Sequence, residues 1–300
     1  MKRCTGILLA FVATVGELHA QSEPAVTART ALLAADRALT ANVAGQSFAS
    51  AVPDAMTGSA VLVWPAAAVV RGPAIVRQLL AVQPGLAGAR ISWQPLHVEV
   101  AADGSLGLIW GVIALDRDTG VARTPSPRLG RFLAAWRRGG AAWKIEALAV
   151  NGVVPAAEAR WLEGLGPVDL PALRSTGPAG RFVAADSIFA ARAGVKGAAV
   201  AFPEWAAPDA VTFAASGELN VGPMRIGAAL AGDASDWKWG AVAAGAAGDG
   251  SLGWTVGQAT ITSKSTSGAT DVYKGKYLTL WRRLPGGTIR FIADGGSARP

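Results

Sequence analysis

With 300 residues, 51% of them hydrophobic, and a formal charge of +7, the chain is long enough for two ordinary domains, each burying its own core. Much of the apolar content is alanine. After the N-terminus no run approaches the roughly 20 apolar residues of a membrane-spanning helix, so stable membrane insertion is not expected. The positive charges are scattered, with doublets only at Arg137-Arg138 and Arg282-Arg283, read as solvated hairpin ends. No basic run interleaves with aromatics, which argues against a nucleic-acid groove.

Residues 1–20 have the pattern of a signal peptide. Lys2 and Arg3 precede the apolar run Gly6–Gly16, and Leu18-His19-Ala20 offers a small residue for cleavage. The expected product is exported, periplasmic or secreted. Cys4 is the sole cysteine and lies ahead of the apolar run, the wrong side for lipid attachment. The mature chain would hold none, so disulfides and thiolate chemistry are not expected.

From residue 21 onward the sequence repeats itself. At a shift of 150 residues Asp36 meets Asp186, Val61 meets Val211, Val63 meets Phe213, and Gly72-Pro73 meets Gly222-Pro223. At a shift of 146, Asp103-Gly104-Ser105-Leu106-Gly107 recurs as Asp249-Gly250-Ser251-Leu252-Gly253, with Trp93 over Trp239 and Gly111 over Gly257. At 145, Gly130-Arg131-Phe132-Leu133 and Trp136-Arg137-Arg138 recur as Gly275-Lys276-Tyr277-Leu278 and Trp281-Arg282-Arg283. A colinear series with so small a drift identifies a tandem duplication.

Each copy reads in the same order. An Ala-rich helix (24–44, 180–193) leads to a short strand (60–64, 210–214). Gly-Pro then opens a second helix, where proline's missing N–H costs nothing. Strands follow. In 92–100, Leu96, Val98 and Val100 are expected on one face, with Pro95, His97 and Glu99 on the other. Asp103-Gly104 and Asp249-Gly250 mark tight hairpin turns. The fold class is α+β: two tandem domains, each a curved antiparallel sheet packed by its N-terminal helices. The boundaries are 21–152 and 180–300. Pro155, Pro167, Pro171 and Pro178 make 153–179 a linker, with a short helix expected at 156–163.

This order resembles the nuclear transport factor 2-like superfamily, in particular its SnoaL-like branch. The matching phrases are Ala35-Asp36-Arg37 late in the first helix, Pro208-Asp209-Ala210-Val211 entering the short strand, and Val70-Arg71-Gly72-Pro73 before the second helix. Trp136-Arg137-Arg138 and Trp281-Arg282-Arg283 end the penultimate strands. The resemblance covers 26–152 and 180–296. It implies cones closed over an apolar pocket, in a group that includes isomerases, dehydratases, cyclases and members with no chemistry. Fold therefore does not settle function.

The residues themselves limit the chemistry. A ketosteroid-isomerase-like site needs a carboxylate base and an oxyanion hole of a tyrosine and a protonated acid. Only Tyr273 and Tyr277 exist, both in the second copy. Tyr277 with Asp186 is the candidate there, against the plainer role of a strand tyrosine packing its ring. A dehydratase-like His–Asp pair could use His97, with Asp36 or Glu99 as orienting acid; the plainer role is a half-exposed strand histidine. No metal site is expected from one histidine and no cysteine, no phosphate loop or nucleophile elbow is present, and no cofactor is implied.

Eleven tryptophans remain, most of them expected in the core. Trp93, Trp64, Trp110 and His97 are the candidate pocket lining of the first copy. Trp64 and Trp110 qualify because their counterparts are Ala214 and Val256. The leading expectation is a non-catalytic or weakly catalytic exported protein binding a small apolar or amphipathic molecule. The rivals are an acid–base isomerase or cyclase, and an architectural pseudo-dimer whose two sheets pair within one chain.

Overall fold

The computed structural model describes residues 23–65, 67–83, 86, 89–117, 128–152, 177–213, 219–265 and 267–298. The expected signal peptide, the 156–163 helix and nearly all of the linker lie outside the described residues.

Helix α1 (Glu23–Gly45) turns one stripe inward. Ala28, Leu32, Asp36, Leu39 and Val43 are all buried, spaced at the three- and four-residue steps that stack on one helical face. Helix α2 (Phe48–Asp54) follows, capped by Ser47, whose hydroxyl accepts from the Ser50 amide at 3.2 Å. Strand β1 (Met56–Val63) and the short β2 (Val70–Arg71) lead into α3 (Pro73–Ala81). Its entry is Gly72 at φ 80°, a conformation costly for any residue with a Cβ. Four long strands complete the half: β3 (Ala89–Val100), β4 (Leu106–Arg117), β5 (Arg128–Gly139) and β6 (Ala142–Gly152).

The second half repeats this plan with α4 (Pro178–Lys196), α5 (Ala198–Trp205), β7 (Ala206–Phe213), β8 (Leu219–Val221), α6 (Gly222–Ala229), β9 (Asp236–Ala246), β10 (Leu252–Lys264), β11 (Thr270–Arg283) and β12 (Ile289–Ala298). Helix α4 begins inside the stretch read as linker. Its inward stripe of Phe182, Ala185, Asp186, Phe189 and Ala193 matches α1 at four places, Leu32 over Phe182, Asp36 over Asp186, Leu39 over Phe189 and Val43 over Ala193. The two six-stranded sheets have the same order, β2-β1-β6-β5-β4-β3 and β8-β7-β12-β11-β10-β9. The duplication and the α+β class hold.

Two details differ from the sequence reading. The sheets are mixed, because β1 runs parallel to β6 and β7 parallel to β12. The alternation in β3 also breaks. A register shift between Pro95 and His97 leaves Leu96 without a ladder partner and 51% exposed. An extra residue moves everything after it to the other face. Trp93 therefore faces inward before the bulge, as do Val98 and Val100 after it, while His97 and Glu99 face out.

Each sheet separates two apolar layers. In the first half Leu62, Trp93, Ile109, Ile113, Phe132, Ala134, Trp136 and Leu148 pack beneath the helices. The alternate residues Val61, Val63, Leu106, Leu108, Leu133, Ala135, Ala147 and Ala149 point outward into one buried cluster with Val211, Leu278, Leu280 and Ala293 of the second half. Burying such side chains stabilises by about 1.5–3 kcal/mol each for the larger ones.

Candidate functional site

The residues expected to line one pocket in the first half divide between the two faces of its sheet. Trp93 is inside, its ring stacked on Phe132 at 3.5 Å and its Nε1 donating to Asp36 at 2.9 Å. Trp64 is also inside, 5.5 Å from Phe48, with Nε1 donating to Gln83 at 3.3 Å. His97 and Trp110 stack on each other at 5.8 Å on the outer face, where Trp110 meets Phe213 of the second half edge-on at 6.2 Å. Asp36 and His97 thus lie on opposite sides of β3, and the sheet prevents them from forming an acid–base pair. Asp36 is shut in, and burial raises its pKa against the Trp93 bond and the Arg37 charge.

His97 does approach Glu99, with Nε2 3.5 Å from Oε2, an ion-pair separation rather than a hydrogen bond. Glu99 has a stronger partner. Arg282 binds it through two nitrogens, at 2.6 and 2.5 Å, and binds Asp209 at 2.9 and 3.0 Å. Burial alone would raise the Glu99 pKa, but His97 and Arg282 together hold it below the usual value. This carboxylate is tied into a clamp between the halves. Arg137 plays the matching part, binding Glu146 at 2.8 Å and the Ala246 carbonyl at 2.9 Å, and Glu146 in turn accepts from Trp254 Nε1 at 3.0 Å. Arg137 and Arg282 are therefore not solvated hairpin ends. Each lies on the outward face of its penultimate strand, which the other half covers.

The second half brings together its two predicted residues. Tyr277 Oη donates to Asp186 Oδ2 at 2.7 Å in a fully buried setting. The local sequence explains the meeting. Asp186 occupies the inward stripe of α4, and Tyr277 alternates inward on β11 with Thr279 and Trp281. The ring can lie across β10 because its ladder partner is Gly257; any Cβ there would overlap the phenol. The matched Gly111 sits opposite Phe132 for the same reason.

Around this pair is a polar cluster that sequence reasoning missed. Thr255 Oγ1 donates to Asp186 Oδ1 at 3.3 Å and accepts from Trp281 Nε1 at 2.8 Å. Thr279 Oγ1 donates to Asp294 Oδ2 at 2.5 Å. Burial pushes Asp186 up to about 7, opposed by Tyr277 and reinforced by the Asp294 charge. Burial raises Asp294 to about 6, opposed by Thr279. Tyr277 is raised well above its ordinary value by burial and by Asp186. The phenol therefore remains a hydrogen-bond donor at every ordinary pH. Phe189 stands at the centre of an aromatic group with Phe202, Trp205, Trp239, Trp281 and Phe291, at 4.8–6.3 Å. Trp205, Trp237 and Trp239 keep part of their surface exposed.

The only signal for this cluster in the sequence was difference between the copies. By ladder position Thr255, Tyr277, Thr279 and Asp294 correspond to Ile109, Phe132, Ala134 and Leu148. Among the described residues no group of three or more His, Cys, Asp or Glu could hold a metal ion. A surface pocket of about 380 Å³ at Gly177, Pro178, Arg181 and Gly248–Gly250 contains none of the candidate site residues.

No protein-family model matches the chain, and no curated protein matches it. Similar solved structures include a nuclear transport factor 2-like protein with a cystatin-like fold from Novosphingobium aromaticivorans, 17% identical with a TM-score of 0.33, over 39% of this chain and 79% of that one. A ketosteroid isomerase-like protein from Erwinia carotovora atroseptica is 13% identical with a TM-score of 0.34, over 39% and 92%. A nuclear transport factor 2-like superfamily protein from Salmonella enterica serovar Typhimurium is 13% identical with a TM-score of 0.34, over 40% and 89%. The chain is similar in fold to nuclear transport factor 2-like proteins. Each of these structures spans about two-fifths of it, the size of one half.

Proposed function

We propose that this chain is an exported tandem protein whose second half binds a small apolar or amphipathic molecule, with the first half as its scaffold. The aromatic group supplies the apolar wall, and Tyr277 with Asp186 supplies the polar anchor. The observation that carries this reading is the contrast between the copies. Buried polar groups cost stability unless every bond is made. The first half closes the same strands with Ile109, Phe132, Ala134 and Leu148, so the fold itself does not require the polar set. Its presence in one copy fits selection for a ligand. Native mass spectrometry of the exported full chain tests this. An adduct present in the native spectrum and lost in Tyr277→Phe supports it. A clean monomer mass across preparations, with no probe binding, rejects it.

A second reading is favoured by one specific observation. The 2.7 Å contact joins a tyrosine to a carboxyl raised to about 7, the pairing that can stabilise a developing oxyanion. In that case the chain would be an isomerase or cyclase of the acid–base type. Turnover that survives both Tyr277→Phe and Asp186→Asn removes these residues from any such chemistry. Export through cleavage after Ala20, and pairing of the halves as a monomer in solution, belong to the same proposal. N-terminal sequencing of the secreted product and sedimentation read them directly.

A further inference from the structure

We infer that the joint between the halves senses protons: a protonated His97 completes the Glu99–Arg282–Asp209 clamp and tightens it, and a neutral His97 leaves the clamp one positive charge short. The coupling rests on no part of the binding reading, and the export proposed above would put the joint where ambient pH reaches it.

The bulge at Leu96 makes the placement. It turns His97 and Glu99 onto the outer face of the first sheet, where Glu99 meets Arg282 of the second half. On one side of the imidazole is Trp110, its ladder partner, with the two rings 5.8 Å apart and 11° from parallel. Trp110 in turn meets Phe213 of β7 edge-on at 6.2 Å. On the other side stands the clamp. Nε2 is 3.5 Å from Glu99 Oε2, and Arg282 of β11 holds Glu99 of β3 and Asp209 of β7 together. That nitrogen is buried and, among the described residues, hydrogen-bonded to nothing. The side chain as a whole is 33% exposed, so a proton can come and go. A small rotation of the ring brings a protonated Nε2 into a charge-assisted bond with Glu99.

The charges decide which state of the ring fits. Arg282 brings one positive charge against two carboxylates. Burial opposes ionisation of both acids, but His97 and Arg282 hold Glu99 below its usual value, and chiefly Arg282 does the same for Asp209. Both therefore stay charged across the range, about pH 5 to 8, in which a histidine changes charge. The surplus negative charge is unfavourable in a partly buried place, and a cationic His97 cancels it. Among the described residues the other nearby charges are turned elsewhere. Helix α1, with Asp36 and Arg37, packs on the opposite face of β3. Arg71 of β2 donates to the Val242 carbonyl, Arg137 of β5 binds Glu146, and Arg283 of β11 donates to the Asp249 carbonyl. The sister clamp supplies the contrast. Arg137 meets one carboxylate, so its charges balance, and the residue equivalent to His97 there is Ala243. The histidine stands only where the clamp holds one carboxylate too many.

The test is amide hydrogen exchange of the full chain at pH 6 and pH 8, corrected for the intrinsic rate at each pH and read in peptides covering 96–99, 207–211 and 280–284. The sign is fixed by the cluster. It favours the protonated ring and the unfolded chain does not, so the stabilisation is present in acid and is lost as pH rises. Wild type should exchange up to about fivefold more slowly at pH 6, the worth of a partly exposed ion pair. His97→Gln keeps a polar side chain that cannot take the charge. It should remove this difference, while peptides at the Arg137 clamp, 136–138 and 145–147, behave as in wild type. Asp209→Asn removes the surplus carboxylate and should shrink the difference with His97 in place, which keeps the test decisive if His97→Gln does not fold. An equal pH response in wild type and His97→Gln overturns the inference. So does faster corrected exchange at pH 6 in wild type, or an undiminished response in Asp209→Asn.

Discussion

Asp103 and Asp249 hold each other's turns. The Asp249 amide donates to Asp103 Oδ2 at 2.9 Å, and the Asp103 amide donates to Asp249 Oδ2 at 3.1 Å. Each aspartate also caps its own hairpin, accepting from Ser105 at 2.9 Å and from Ser251 at 2.8 Å. Duplicated turns meet as the two equivalent surfaces of a symmetric dimer would, here within one chain. Burial raises the Asp103 pKa, but the bonds from Ser105 and the Asp249 amide outweigh it and hold the carboxyl low.

Asp103→Ala should therefore lower stability at pH 7 by about 1 kcal/mol, the net worth of an exposed charge-assisted bond or two. The sign with pH is fixed. A depressed folded pKa gives stabilisation that is full above the unfolded value and is lost as pH falls through the folded one. Urea midpoints for wild type and variant should therefore converge toward pH 3. A penalty unchanged at pH 3 would show that the bonds do not depend on the charge.

Arg282 is the stronger joint. Its guanidinium binds Glu99 and Asp209 with its side chain 20% exposed. Replacing it by alanine leaves the mostly buried Glu99 carboxylate without its arginine, while the half-exposed Asp209 returns to water, at a cost of about 2 kcal/mol or more. Arg282→Lys should recover only part of this, because an ammonium cannot make the planar two-nitrogen contact. Thermal melts of both variants, beside Arg138→Ala as an exposed control, check the order.

The repeated frame was legible in the sequence because backbone demands leave residue signatures. Gly72-Pro73, Asp103-Gly104 and the Gly111/Gly257 pair each mark a place where the chain turns or a ring passes close. The Tyr277–Asp186 contact was reachable from the same reasoning, since both residues fall on inward positions of elements that pack together. The pocket assigned to the first half was not. Trp93 and Trp110 differ in face only because one bulge at Leu96 reverses the alternation, and bulges leave no dependable trace in a single sequence. The arginine doublets misled for another reason. A strand pattern identifies two faces but does not say that a second sheet covers the outer one. Asp294 was not singled out, because a strand aspartate shows what it faces only once its pairing with Thr279 is known.

Asp186 and Asp294 give stability the opposite pH dependence from Asp103. Their folded pKa values, about 7 and about 6, lie above the ordinary carboxyl value of 3.8. The native state therefore holds protons that the unfolded chain has released. Their contribution is full below about pH 4 and is lost as pH rises to about 7, at roughly 1.4 kcal/mol per unit of pKa difference. Asp186→Asn should flatten this slope while keeping a partner for Tyr277. Denaturant unfolding at pH 5 and pH 8 should therefore differ less in the variant than in wild type. An equal difference in both would mean that Asp186 is already ionised in the folded chain.

The last prediction separates the site from its scaffold through two glycines of the same sheet. A Cβ at Gly257 would fall inside contact distance of the Tyr277 hydroxyl and the Gly240 carbonyl, whereas a Cβ at Gly240 meets nothing within 4 Å. Gly240→Ala should therefore leave both stability and the Tyr277 environment unchanged. Gly257→Ala must push the phenol off Asp186 or spread β10 from β9, costing about 1–3 kcal/mol of overpacking. Gly111→Ala imposes the same crowding on Phe132, which has no hydroxyl to lose. If the second half carries the site, Gly257→Ala and Gly111→Ala should destabilise alike, but only Gly257→Ala should alter the Asp186 titration. A change in that titration from Gly111→Ala would mean that the halves are coupled through their shared face rather than divided into scaffold and site.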